Sequence, residues 1–136
     1  MVGPGDMPCS VPDCEVTGKL PPNEILKLRL QSGLAVVGSP FETFAYSITE
    51  AMSLGMPVLT TASMGARALI EDRVTGRIVP VGDPEAMAAA MLEMTGDPER
   101  VASLGAAARE WVAERLDPER IALETVALYR EVLAAR

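Results

Sequence analysis

From residue 15 onward, short apolar runs alternate with helical patterns, and that alternation restricts the fold more than any other property of this 136-residue chain. Leu34-Ala35-Val36-Val37 is a continuous apolar run between glycines, and Pro57-Val58-Leu59-Thr60-Thr61 is a second, with proline at its first position. Arg77-Ile78-Val79-Pro80-Val81 is the third. Runs this short without polar alternation are expected to be strands buried on both faces, as in parallel sheets. A proline at the first strand position removes no ladder donor. Between these runs the spacing predicts a helix over about Phe44–Leu54, stopped by Gly55, and a short one over Ala66–Ile70. Before them, Asn23 is expected to cap a helix through Gln31, with Ile25, Leu26, Leu28 and Leu30 as its apolar surface, and Glu15–Gly18 reads as a weak strand. Strand–helix alternation of this kind implies parallel strands joined by right-handed crossovers, hence a layered α/β fold around a short parallel sheet.

The remainder of the chain reads as helical. Met87, Ala90, Met91 and Met94 form one amphipathic face; Val101, Leu104, Ala108, Trp111 and Val112 form a second. Ile121, Ala122, Val126, Tyr129, Val132 and Leu133 form a broader third, and the terminal helix pair is expected to pack over the sheet domain. Asp-Pro-Glu occurs at Asp83, Asp97 and Asp117. Repeated carboxylate pairs invite a metal or acid–base reading, but Asp at N-cap, Pro at the first helical position and Glu in the first turn are what a helix start needs. Their unequal spacing also excludes a repeat architecture.

Composition removes several function classes. A net charge of −7 repels a phosphate backbone, so nucleic-acid binding is not expected. With no histidine and only two cysteines, Cys9 and Cys14, there is no His-based acid, base or metal site and too few thiolates for zinc. Residues 1–14 read as an irregular segment with a remnant of strand at Met1-Val2, and residues 15–136 as the folded domain. No stretch reaches the roughly 18 apolar residues a membrane span needs. The expectation is a cytoplasmic protein with free thiols.

In an open α/β sheet, ligands bind beyond the carboxyl ends of strands, where loops enter helix N-termini. Two junctions qualify: Gly38-Ser39-Pro40-Phe41-Glu42-Thr43-Phe44-Ala45-Tyr46-Ser47 and Thr60-Thr61-Ala62-Ser63-Met64-Gly65-Ala66. Their small and hydroxylic residues and backbone amides suit a phosphate oxygen. On spacing alone, Glu42 completes a capping box begun by Ser39, and Glu50 is a solvated residue on the polar side of the following helix.

The wider sequence alters that weighting. Ser39 through Val58, with Glu42 and Glu50 separated by seven residues, Glu50 followed by Ala51-Met52, and Gly55-Met56-Pro57-Val58 as the strand entry, resembles the signature of retaining, nucleotide-sugar-dependent glycosyltransferases of the GT-B fold. Ile70 through Pro80, Gly82 through Ala88 and the tail at Leu128-Tyr129-Arg130 are similar to later segments of that family, so the resemblance covers about residues 15–136. It implies the C-terminal, donor-binding lobe: a partial Rossmann-like three-layer α/β domain with a helical C-terminal tail.

The resemblance further implies hexosyl transfer from a UDP- or GDP-sugar without a metal or other cofactor. Glu42 would accept from donor sugar hydroxyls and Glu50 from the ribose diol, as two-oxygen acceptors can. The amides around Thr43, Phe44 and Ala45 would face the sugar and diphosphate. The family commonly has glycine where Thr43 and Ala45 stand, and a glutamate where Ala68 stands. The acceptor lobe and the family's diphosphate-clamping arginine and lysine have no counterpart in this sequence, so no catalytic residue is assignable and the chain alone is expected to be inactive. A missing central strand would leave Leu34–Val37 as an open edge, inviting self-association or the absent lobe as partner. The alternatives are a non-catalytic remnant or partner subunit, and a nucleotide-sugar epimerase of the same fold.

Overall fold

The computed structural model describes residues 11–135. Met1-Val2, the glycine turn after it and Cys9 lie outside them. The chain divides into two compact units, Met1–Gly33 and Leu34–Arg136.

In the first unit the one helix among the described residues is α1, Pro22–Gln31. Asn23 lies inside it rather than capping it: Pro21 is the boundary residue, extended at φ −67° and ψ 153°, with no side-chain cap. The Pro21-Pro22 pair explains the shift, because a residue before proline is held extended while proline itself suits the first helical turn. None of α1's residues is buried. Of the expected weak strand Glu15–Gly18, residues 15–17 form no strand and Gly18 carries a single β-bridge.

In the second unit, β1 (Ala35–Val37), β2 (Val58–Thr61) and β3 (Arg77–Val79) form a parallel sheet in the order β1-β2-β3. Ala35 stands opposite Val58, Leu59 opposite Arg77 and Thr61 opposite Val79. The connections carry α2 (Tyr46–Ser53) and α3 (Met64–Leu69); α4 (Pro84–Gly96), α5 (Pro98–Arg115) and α6 (Pro118–Ala134) follow.

Strand alternation divides the core in two. On one face Val58 packs with Ile48, Ala51 and Met52 of α2, Ala66 and Leu69 of α3, and Ala108 of α5, with Trp111 and Val112 at the margin. On the other, Leu59 and Val79 pack with Ala90 and Met94 of α4 and Leu104 of α5, with Leu34, Met87 and Val101 alongside. This is the expected three-layer α/β arrangement, with β2 buried at every position. Fully burying a Leu or Ile contributes roughly 1.5–3 kcal/mol, so Ile48 and Leu59, both without exposed surface, anchor the two layers. A tight crossing of α5 over the end of α2 completes the first layer. Gly55 takes φ +71°, and Gly105 lies so close to the Gly55 carbonyl that no Cβ fits between them.

The three Asp-Pro-Glu triplets start helices as expected. Asp83 accepts from the Ala86 amide at 2.8 Å, Asp97 from Arg100 at 3.0 Å and Asp117 from Arg120 at 2.8 Å.

Further expectations need correction. The third run ends as a strand at Val79, its only buried residue, and Val81 is exposed. β1 is not buried on both faces: Val36 is 44% exposed, because β1 is the edge strand and α4 packs over β2 and β3 instead. α6 does not pack over the domain either, and none of its residues is buried. The two core layers are built from α2, α3, α4 and α5, and no residue of α6 joins either.

Candidate functional site

The carboxyl ends of β1 and β2 are bound together by strand hydroxyls. The Thr60 Oγ1 donates to the Val37 carbonyl at 2.9 Å, and Thr61 Oγ1 donates to the Ser39 carbonyl. Thr60 and Thr61 are buried, so the bonds also satisfy hydroxyls that would otherwise be costly to bury. Beyond β2, Ser63 caps α3 by accepting from the Ala66 amide at 3.3 Å. The Gly65 amide then donates to the Glu42 carbonyl at 2.9 Å. A Cβ on Gly65 would lie 2.9 Å from the Thr43 carbonyl oxygen, so glycine is what lets α3 seat on the first loop. The two junctions singled out in the sequence thus form one structure.

The first loop ends in an unusual helix start. The capping box expected from Ser39 to Glu42 does not form, since α2 begins only at Tyr46. Its boundary residue is Ala45, left-handed at φ 58° and ψ 63°, and no side chain caps it. A left-handed conformation costs a non-glycine residue about 1–2 kcal/mol. The Ala45 carbonyl accepts from Ile48 at 2.9 Å, while Ala45 itself is 4% exposed and wedged into the core. Every other helix of the second unit has an Asp or Ser side chain on its first-turn amides. α2 has none, so apart from the Ile48 amide, which donates to Ala45, its first-turn amides lack a side-chain cap, and the positive end of its dipole suits an anion.

Glu42 is half-buried and Thr43 exposed in this loop. Phe44, expected in the apolar stripe of α2, instead precedes the helix, 41% exposed, and meets Tyr46 edge-on at 5.2 Å between ring centroids. Glu50 lies exposed on α2, four residues after Tyr46 and therefore on the same side, about 6 Å along the axis. The loop thus holds Glu42, Thr43, Phe44 and Ala45 together, with Glu50 one helical turn behind them.

Charge is organised differently at the other end of the sheet. At the amino end of β3, Arg77 pairs with Asp72 at 2.7 Å and Glu93 at 3.3 Å, and Arg73 pairs with Glu93 at 2.7 Å. Burial pushes the Asp72 carboxyl up, but the Ile78 amide and Arg77 outweigh it and hold it below the ordinary range. The Arg73 hydrogen bond does the same for Glu93. This cluster ties β3 to α4 and stands apart from the candidate site. Among the described residues, no group of three or more His, Cys, Asp or Glu side chains is placed to hold a metal ion. Nor is any helix long and apolar enough to cross a membrane.

Sequence reasoning overlooked the left-handed Ala45, for which apolar spacing carries no signal.

Comparison with known proteins gives this geometry its setting. The sequence pattern of glycosyl transferases group 1 matches residues 12–111. The D-inositol 3-phosphate glycosyltransferase of Saccharomonospora viridis is 32% identical over 124 residues, 89% of this chain and 28% of that protein. Sucrose-phosphate synthase of Thermosynechococcus elongatus superposes with a TM-score of 0.81 at 31% identity, over 90% of this chain and 31% of that one. HepE of Anabaena, solved in complex with UDP-glucose, shares the fold with a TM-score of 0.77 at 24% identity, over 90% of this chain and 32% of that one. The chain therefore spans between 28% and 32% of the length of these proteins.

Proposed function

Because the chain belongs to the glycosyl transferases group 1 family, we propose that it supplies the donor-binding part of a cytoplasmic, retaining hexosyltransferase that uses a UDP- or GDP-sugar. The observation that carries this reading is the uncapped N-terminus of α2 behind the loop Glu42–Ala45. A diphosphate seated there would receive the first-turn amides, which need no metal ion to be attractive to an anion. Glu42 would accept from the hydroxyls of the donor sugar and Glu50 from the ribose diol. Stabilising the nucleoside diphosphate as it leaves is an electrostatic task, and amides fixed before the reaction perform it without reorganisation.

Calorimetric titration of UDP-glucose, GDP-mannose, UDP and GDP, with EDTA present, tests the reading. One nucleotide series is expected to bind, and Glu50→Ala to weaken it about tenfold, the loss of one charge-assisted hydrogen bond. Absence of binding to all four would favour a remnant without turnover. No transfer is expected from these 136 residues alone, so measurable transfer would overturn that part of the reading.

We also propose that the outer edge of β1 pairs with further polypeptide, either the acceptor lobe or a second copy. Val36 is exposed, and among the described residues β1 pairs with no strand but β2. Sedimentation at rising concentration is expected to show association; a monodisperse, cooperatively melting monomer would contradict it.

A further inference from the structure

We propose that the ring of Tyr46 is a platform for the hexose of the donor, an inference that rests on the donor-binding reading above. The chain has few aromatic side chains, two Phe, two Tyr and one Trp. Three of them, Phe41, Phe44 and Tyr46, fall within six residues in the loop and first turn that make up the candidate site. None of the three belongs to either core layer. Phe41 is 70% exposed and Tyr46 74%. Apolar side chains exposed singly are ordinary, whereas a cluster of them beside carboxylates and backbone amides has the make-up of a ligand site.

The position of the Tyr46 ring follows from its place in α2 and from its neighbour. Tyr46 is the first residue of the helix. Helical side chains lean toward the helix N-terminus, so the ring is carried past the start of α2. There it meets Phe44, which lies in the preceding loop, at 5.2 Å between centroids and 60° between planes. Phe44 supports the ring from one side, and its high exposure leaves the rest open. Glu50 stands one turn behind on the same side of α2, and Glu42 lies two residues before Phe44 in the loop. Along the helix axis the order is therefore Glu50, the first-turn amides, the Tyr46 ring, and the loop that carries Glu42. A nucleotide sugar is itself a linear array of ribose, diphosphate and hexose. With the ribose diol at Glu50 and the diphosphate at the amides, the group that reaches Tyr46 is the hexose. A pyranose presents weakly positive C–H groups on its ring face, which suit the negative face of an aromatic ring. The hydroxyls at its rim remain for Glu42.

The test separates the hexose from the nucleotide. The 136-residue chain is titrated with UDP-glucose and UDP, or with GDP-mannose and GDP if that series binds. Tyr46→Ala is expected to weaken the nucleotide sugar about fivefold, the worth of one aromatic contact, and to leave the nucleoside diphosphate unchanged. Tyr46→Phe, which keeps the ring, is expected to retain the parent's affinity. Tyr46→Leu, which keeps apolar bulk without a π-face, is expected to behave like the alanine variant. Unchanged binding of the nucleotide sugar in Tyr46→Ala, an equal loss for the nucleoside diphosphate, or a leucine variant as good as the phenylalanine one overturns the assignment while the donor-binding reading stands. If the unaltered chain binds no nucleotide at all, both fall. Equal melting temperatures of the Phe and Leu variants show that a difference between them is not one of folding.

Discussion

Ala45 carries two demands that conflict. Its left-handed backbone favours glycine, yet its methyl group is buried against the first core layer. Alanine satisfies both at a cost of about 1–2 kcal/mol in backbone strain. A β-branched side chain satisfies neither, since its second branch crowds the left-handed backbone and has no space in the core. Ala45→Val is accordingly expected to destabilise by more than about 2 kcal/mol in urea unfolding, and a variant as stable as the parent would contradict the conformation described. Ala45→Gly exchanges the strain for a lost methyl contact worth about 0.8 kcal/mol, so its stability is expected to stay within about 1 kcal/mol of the parent. Periodicity could not reveal this conflict, because apolar spacing locates a helix but says nothing of the dihedral angles by which the chain enters it. For the same reason Phe44 read as the first apolar residue of α2, when it lies outside it.

Among the elements, those with strong local signals were legible. Each Asp-Pro-Glu start is fixed by groups within three residues of one another, and Gly55 ends α2 by its own positive φ. The seating of α5 on α2 was not legible, since Gly55 and Gly105 are far apart in sequence and nothing local ties them. Gly105→Ala would drive a methyl into the Gly55 carbonyl and push the helices apart. A loss of about 3 kcal/mol is expected from such overpacking; an unchanged melting temperature would show that the crossing is looser. The ion cluster on β3 and α4 makes a different prediction. Asp72 and Glu93 both titrate lower in the folded chain than in the unfolded one. Their contribution to stability is therefore complete above the ordinary carboxylate range of about pH 4, and is lost as pH falls through their lower folded values. Melting temperatures at pH 7 and pH 3 are expected to differ less in Asp72→Asn than in the parent, and an identical acid limb would remove the cluster from the account.

For the whole molecule, the sequence allowed the order of layers to be read, because parallel strands and intervening helices leave few topologies. It did not allow the exposure of β1 or of α6 to be read. Both depend on how many strands the sheet has and how much of each face its helices cover, which no window of sequence contains. Glu42 and Glu50 were singled out as candidates from the sequence; that Gly65 and Thr61 hold the Glu42 loop in place required the fold.

The bare surface of α6 also bears on how the molecule opens. A 17-residue helix with no buried side chain has, beyond its own backbone bonds and the Asp117 cap, exposed contacts such as those from Arg120 to Glu124 and to the Arg115 carbonyl, and isolated helices of that length are marginal in water. Its amides should trade their protons for deuterium by local fraying. Those of Ile48 and Leu59, at the centre of the two core layers, should exchange only when the whole sheet unit comes apart. Mass-resolved exchange on peptides spanning residues 118–134 and 58–61 would separate the two classes by orders of magnitude in rate, and equal protection of the two would mean that α6 is held by more than itself.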